Sequence, residues 1–175
     1  MSKLENKVIL GIDIDGVFNV IDLEDEHNKI SKTAIYYLNR ILENVPNCDI
    51  LIVSSWGNRD NHTTNTLVEA GFKYPERVVG CTDNIINSRT EATHIWMNEH
   101  EEYGSVICLD DEIVLYDYFG IENKNGAYKC DVVETRPDVG LNIDKAYETI
   151  CRLQGISLRF WSWCTINHII NNDAV

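Results

Sequence analysis

The sequence has only three prolines, no cysteines spaced C-x-x-C, and many fewer basic than acidic residues. No stretch approaches the roughly 20 uninterrupted apolar residues that a membrane helix needs, so no membrane partner is expected. Met1 to Lys7 runs into a strand pattern without an apolar leader segment, and the expectation is a soluble, cytoplasmic protein. The 15 Lys and Arg stand against 28 Asp and Glu, a net charge of −13. That balance excludes extended, sequence-independent nucleic-acid binding, which needs a basic footprint. It leaves room for a nucleotide or a single polynucleotide end, whose phosphate a cation and a few local Arg or Lys can hold. The six cysteines (48, 81, 108, 130, 151 and 164) have no His at zinc-like spacing and are expected to be reduced, mostly buried thiols. The five histidines form no catalytic pattern. No internal repeat, low-complexity tract or linker divides the 175 residues. They read as one domain (1–175), with a core over about 6–155 and a C-terminal extension over about 156–175.

What is present is an alternation of apolar strand-like and amphipathic helix-like segments. Lys7 to Ile14 is a short run rich in β-branched residues, the pattern of a strand buried on both faces. Ser31 is placed as the N-cap of a helix carrying Ala34, Leu38, Ile41, Leu42 and Val45, which Pro46 closes. Cys48 to Ser54 repeats the buried-strand pattern. A helix over Thr63–Ala70 ends at Gly71, a suitable position for a left-handed residue. Arg77 to Gly80 is expected as a short strand, and Ser88 to His100 as a helix with Ala92, Ile95, Trp96 and His100 near one face. Ser105 to Leu109 is the next strand, Cys130 to Glu134 another, and Ile143 to Leu153 a late helix. Repeated β-then-α with apolar strands predicts an α/β fold: a three-layer α/β/α sandwich around a mainly parallel, Rossmann-like sheet.

In such sheets the ligand site lies at the carboxyl ends of the strands. Three strands here end in groups suited to phosphoryl transfer. The first ends Asp13-Ile14-Asp15-Gly16; residues i and i+2 of a strand share a face, so both carboxylates can approach one site, and Gly16 permits a sharp exit. The second ends Ser54-Ser55-Trp56, whose hydroxyls and amides suit phosphate oxygens. The strand before Asp110-Asp111 brings two more carboxylates. Carboxylates on adjacent strand ends repel one another unless a cation lies between them, and Mg²⁺, a hard ion that keeps waters and accepts phosphate oxygens, is the natural choice. A carboxylate attacks phosphorus once metal and a cationic side chain neutralise the phosphoryl charge.

These segments resemble motifs I, II and IV of the haloacid dehalogenase (HAD) superfamily: Asp13-Ile14-Asp15-Gly16-Val17, Leu51-Ile52-Val53-Ser54 and Ile107-Cys108-Leu109-Asp110-Asp111. Further pieces are similar to the small HAD domains of multidomain RNA-repair proteins: Val17-Phe18-Asn19, Ser54-Ser55-Trp56, Gly80-Cys81-Thr82, Arg89 before Ile95-Trp96, and Gly140-Leu141. The resemblance implies a phosphatase, a phosphoric monoester hydrolase. Asp13 would be nucleophile and metal ligand, and Asp15 the general acid/base with its backbone carbonyl on the metal. Ser54 or Ser55 would bind the phosphoryl group, and Asp110 and Asp111 the Mg²⁺. The motif III cation would be Arg89, with Arg59 the competitor; Gly57 stands where an Arg is expected.

A receiver-type phosphoacceptor domain is excluded by motif order, because its acidic pair comes early and its phosphorylated Asp mid-chain. The short spacings between Asp15, Ser54 and Asp110 leave no room for a large cap domain. Among HAD enzymes, capless members often act on macromolecular phosphates. The expected substrate is a nucleotide or a nucleic-acid 3′-terminal phosphate. The alternative is a catalytically inactive HAD-like module that binds a phosphorylated ligand or a protein partner; a 2-haloacid dehalogenase would need neither the D-x-D pair nor the metal. Trp56 is a candidate for base stacking, with packing the plainer role for it and for Trp96, Trp161 and Trp163. The acidic run Asp22-Leu23-Glu24-Asp25-Glu26-His27 lies where HAD enzymes carry a substrate flap, with a solvated loop the plainer reading.

Overall fold

The structure is a computed structural model that describes residues 7–20, 30–82, 88–113, 122–123, 126–127 and 129–156. Five parallel strands form the sheet: β1 (Lys7–Ile12), β2 (Cys48–Ile52), β3 (Val78–Cys81), β4 (Tyr103–Asp110) and β7 (Lys129–Glu134), in the order β3-β2-β1-β4-β7. Among the described residues four α-helices connect or follow them: α1 (Lys32–Asn44), α2 (His62–Glu69), α3 (Arg89–Glu99) and α4 (Ile143–Leu153). The predicted α/β architecture is the one observed. Between β4 and β7, β5 (Glu122–Asn123) and β6 (Gly126–Ala127) pair as a short antiparallel hairpin that the sequence pattern did not announce.

β1 is central because it can be apolar on both sides. Val8, Leu10 and Ile12 face a core completed by Leu38 of α1, Leu67 of α2 and Ile150 of α4. Ile9 faces a second core with Leu51, Val106, and Trp96 and Met97 of α3. The layers follow: α1, α2 and α4 contribute to one core, α3 to the other. Each fully buried Leu or Ile contributes about 1.5–3 kcal/mol, so truncating Leu38 to Ala would cost about 2–5 kcal/mol. At Gly11 a Cβ would lie 2.6 Å from Cys108 Sγ, so β1 and β4 meet their shared layer only with glycine there.

Helix starts follow their caps. Ser31 Oγ accepts from the Ala34 amide at 3.3 Å, Ser88 Oγ from the Glu91 amide at 3.0 Å, and Asn142 Oδ1 from the Lys145 amide at 3.0 Å. Gly71 closes the α2 region with φ +109°. One expectation on α3 fails: Ile95 is exposed, because the buried face runs through Ala92, Thr93, Trp96 and Met97. His100 does join that face, its ring stacked 3.7 Å from Trp96.

The amino-terminal edge of the sheet is tied by polar contacts. Asp49 Oδ2 accepts from Lys7 Nζ at 3.0 Å and from Tyr103 Oη at 2.8 Å. The Arg77 guanidinium donates to the carbonyls of Leu42 at 3.0 Å and Val45 at 2.9 Å, and to that of Cys48, closing the carboxyl end of α1 against β2. Cys48, Cys81, Cys108 and Cys151 are thiols, and Cys130 and Cys164 lie outside what is described of side chains. The acidic run Asp22–His27, Trp161, Trp163 and the extension beyond Ile156 also fall outside the described residues. Among those described, no helix is long and apolar enough to cross a membrane.

Candidate active site

β1 ends at Ile12, two residues before the sequence pattern suggested, and the difference shapes the site. The Asp13 amide still donates to Leu109 O at 3.0 Å, which holds Asp13 in line with the sheet. The chain then turns, with Ile14 O accepting from Phe18 and Asn19 amides at 2.9 and 3.0 Å. Asp15 therefore lies beyond the end of β1, at the start of the turn and bridged to Asn19, rather than within a strand. Its carboxylate is held on both oxygens: Oδ1 accepts from Asn19 Nδ2 and Oδ2 from Trp56 Nε1, both at 2.9 Å.

The carboxylates that do converge are Asp13, Asp110 and Asp111, one oxygen of each lying within 4.8 Å of the others. Asp13 and Asp110 are 3% and 0% exposed, and Asp111 is half-buried. Arg89, the first residue of α3, reaches across the sheet edge to both buried carboxylates: its guanidinium donates to Asp13 Oδ2 at 2.7 Å and also pairs with Asp110. Asp13 Oδ1 accepts from the Ile14 amide at 2.7 Å, and the Ser54 hydroxyl hydrogen-bonds the same carboxylate. Asp110 Oδ1 takes the Glu112 amide at 2.9 Å.

Burial raises the Asp13 carboxyl from 3.8 to about 6; Arg89 pulls it down, the Asp110 charge pushes it further up, and Ser54 again opposes. Asp111 is also raised, by burial first and then by Asp110 and Glu112, against its own backbone hydrogen bond and Arg89. Burial disfavours the Arg89 charge, but Asp13 and Asp110 more than offset this and hold the guanidinium more firmly protonated than usual.

Among the described residues three carboxylates face one guanidinium, an excess of negative charge around two buried carboxylates. The donors are all hard oxygens, as Mg²⁺ prefers. The backbone also makes room for them. At Gly16 (φ +69°) a Cβ would lie 2.1 Å from Asp111 Cγ, so the turn and the third carboxylate coexist only with glycine at 16. These residues fit a divalent cation held by Asp13, Asp110 and Asp111.

Of the other expected residues, Ser54 is buried against Asp13, while Ser55 lies on the exposed side of the turn. Arg89 and not Arg59 meets the carboxylates; Arg59 is exposed, in a tight turn leading into α2. Gly57, where an Arg was expected, takes φ +60° and donates its amide to Ser54 O at 3.0 Å. Asn58 Oδ1 then accepts from the Thr64 amide at 3.1 Å. Thr135 was missed: its Oγ1 donates to Gly16 O at 3.0 Å and its amide to Asp110 O at 2.9 Å, bracing the turn against β7. A hydroxyl residue directly after the β7 strand pattern was the available signal. Gly140 (φ +68°) closes the bracing loop, because a Cβ there would meet Val17 O at 2.6 Å.

Comparison with known proteins bears on this arrangement. The HAD domain of the effector protein Lem4 from Legionella pneumophila superposes with a TM-score of 0.47 at 17% identity, over 76% of this chain and 88% of that one. An inactive mutant of the same domain gives 0.47 and 17%, over 76% and 87%. A search of curated protein sequences finds no match. The family model described as the HAD domain in Swiss Army Knife RNA repair proteins matches residues 9–146, from β1 into α4 and across every carboxylate of the site. With most of its length matched by that model, the chain belongs to the family of HAD domains found in Swiss Army Knife RNA repair proteins.

Proposed function

We propose that the protein is a Mg²⁺-dependent phosphomonoester hydrolase that forms an aspartyl-phosphate on Asp13. The observation that carries this reading is the convergence of Asp13, Asp110 and Asp111 at the carboxyl edge of the sheet, with Arg89 and Ser54 on Asp13. An Asp13 carboxylate oxygen attacks phosphorus, and the P–O bond to the leaving alcohol breaks. The Asp15 carboxyl gives its proton to the departing oxygen. Asp15, now ionised, takes a proton from the water that cleaves the phosphoenzyme, returning Asp13 and inorganic phosphate. Ser54 and Arg89 hold the phosphoryl oxygens and offset their charge. Mg²⁺, held by Asp13, Asp110 and Asp111, would supply the remaining positive charge.

Two features bear on the substrate, and both are met by a nucleotide or a nucleic-acid 3′-terminal phosphate. The family's place in RNA repair favours a polynucleotide end. The net charge of −13 disfavours a long polyanion lying across the surface. A terminal phosphate asks for one local contact only.

The experiment is phosphate release from p-nitrophenyl phosphate, nucleoside monophosphates and 3′-phosphorylated oligonucleotides, with Mg²⁺ and with EDTA. Metal-dependent turnover that disappears in Asp13→Asn is expected. Turnover retained by that variant refutes the mechanism. No turnover by the folded wild type assigns the chain to a phosphoryl-binding module instead.

A further inference from the structure

We infer that Trp56 is a positioning residue for Asp15: its indole N–H fixes the plane of the carboxyl group that exchanges protons with the leaving group and water. The inference rests on the hydrolase reading and adds a residue to it. Three observations carry it. The indole Nε1 lies 2.9 Å from Asp15 Oδ2, across a separation of 41 residues. The body of the ring packs against the larger core, so the N–H is aimed by buried apolar contacts and does not swing freely. The other carboxylate oxygen is taken by Asn19 Nδ2 at 2.9 Å, and Asn19 is itself buried and tied by its carbonyl to the Gly16 amide at 2.9 Å.

A carboxylate accepting one N–H on each oxygen has its plane and torsion set, while lone pairs remain on both oxygens for a proton in transit. Asp15 needs such support because it lies in a turn, partly exposed, outside the cluster formed by Asp13, Asp110 and Asp111. Trp56 follows Ser54 by two residues, and its amide lies 3.4 Å from Ser54 Oγ. One turn therefore sets both the phosphoryl-binding hydroxyl and the acid/base, so that they move together.

The test reads a chemical signature that loss of packing would not produce. General-acid assistance matters when the leaving alcohol is a poor one and little when it departs readily as an anion. Trp56→Phe keeps an aromatic ring at the position and removes the N–H. Its kcat/KM for an alkyl phosphate is expected to fall about 10–100-fold, with a loss at least several-fold smaller for 2,4-dinitrophenyl phosphate. Equal losses on the two esters overturn the proposal, as does unchanged kcat/KM on the alkyl ester. A second measurement does not depend on the folding of that variant. The Trp56 indole ¹H–¹⁵N resonance of the full chain, without metal, is expected to move when Asp15 is replaced by Asn. A resonance that stays in place overturns the contact. Failure of the hydrolase reading is distinguishable, because there the wild type turns over neither ester.

Discussion

Replacing Asp13 with Asn should make the metal-free protein more stable while abolishing the proposed chemistry. Asp13 is buried beside Asp110, and its carboxyl is raised from 3.8 to about 6 in spite of Arg89. The native state thus binds the Asp13 proton more tightly than the unfolded state does. Its contribution to stability is fully present below pH 3.8 and is lost as pH rises through about 6. The difference between those values corresponds to about 3 kcal/mol of destabilisation at neutral pH. Asn carries no charge to desolvate, but it offers one oxygen where Asp13 accepts from the Ile14 amide, Arg89 and the Ser54 hydroxyl, and one lost hydrogen bond costs about 1 kcal/mol. The net expectation is about 2 kcal/mol of stabilisation, a rise in Tm of about 4–8 °C for a chain of this size. The assay is thermal unfolding of both proteins in EDTA at pH 7.5 and pH 4.5, compared by difference. The gap should shrink on acidification, and Mg²⁺ should narrow it at pH 7.5 by stabilising the wild type. An Asn variant no more stable than wild type at pH 7.5 in EDTA, or a gap unchanged at pH 4.5, would refute the reasoning.

Arg89→Met should have the opposite sign. Removing the guanidinium leaves Asp13 and Asp110 facing each other while buried, at a cost of about 3–5 kcal/mol in EDTA; scanning calorimetry should show Mg²⁺ restoring more stability to the variant than it adds to wild type. Gly16→Ala places a Cβ at the Asp111 carboxylate on a positive φ, and should cost about 1–3 kcal/mol while weakening Mg²⁺ binding at least about 10-fold by titration calorimetry. Ser31→Ala removes the α1 cap alone; urea unfolding should register a loss of about 1 kcal/mol, with Mg²⁺ affinity unchanged.

Much of this architecture was legible before any coordinates. The bounds of α4 agree to the residue, because its apolar spacing is clean and its first turn is capped. Ser31 was readable as a cap for the same reason: capping is a local contact, written within a few residues of sequence, whereas Ser88 was read as the start of its helix and proves to be the cap before it. The order of Asp13, Ser54 and Asp110-Asp111 was readable because each follows a buried strand, and parallel strands deliver their ends to one edge. What escaped was non-local or conformational. Nothing in the vicinity of Asp15 or Trp56 says that the two will meet. The choice between Arg89 and Arg59 depended on which loop points inward, a tertiary matter. Gly57 looked like a departure from pattern until its left-handed φ and its amide bond to Ser54 O gave it a role. The β5–β6 pair escaped because two-residue strands carry no period to detect.

The polar contacts at the amino-terminal edge have a consequence for how this domain can change over time. Lys7, Asp49, Tyr103 and Arg77 knit the starts of the strands at the end of the sheet opposite Asp13 and Asp110. Division of labour along the strand axis follows. Mutational drift at one end alters how long the molecule survives, and drift at the other alters what it accepts. A lineage can therefore bank robustness at the knitted end and later spend it on new specificities at the carboxylate end, with neither search obstructing the other.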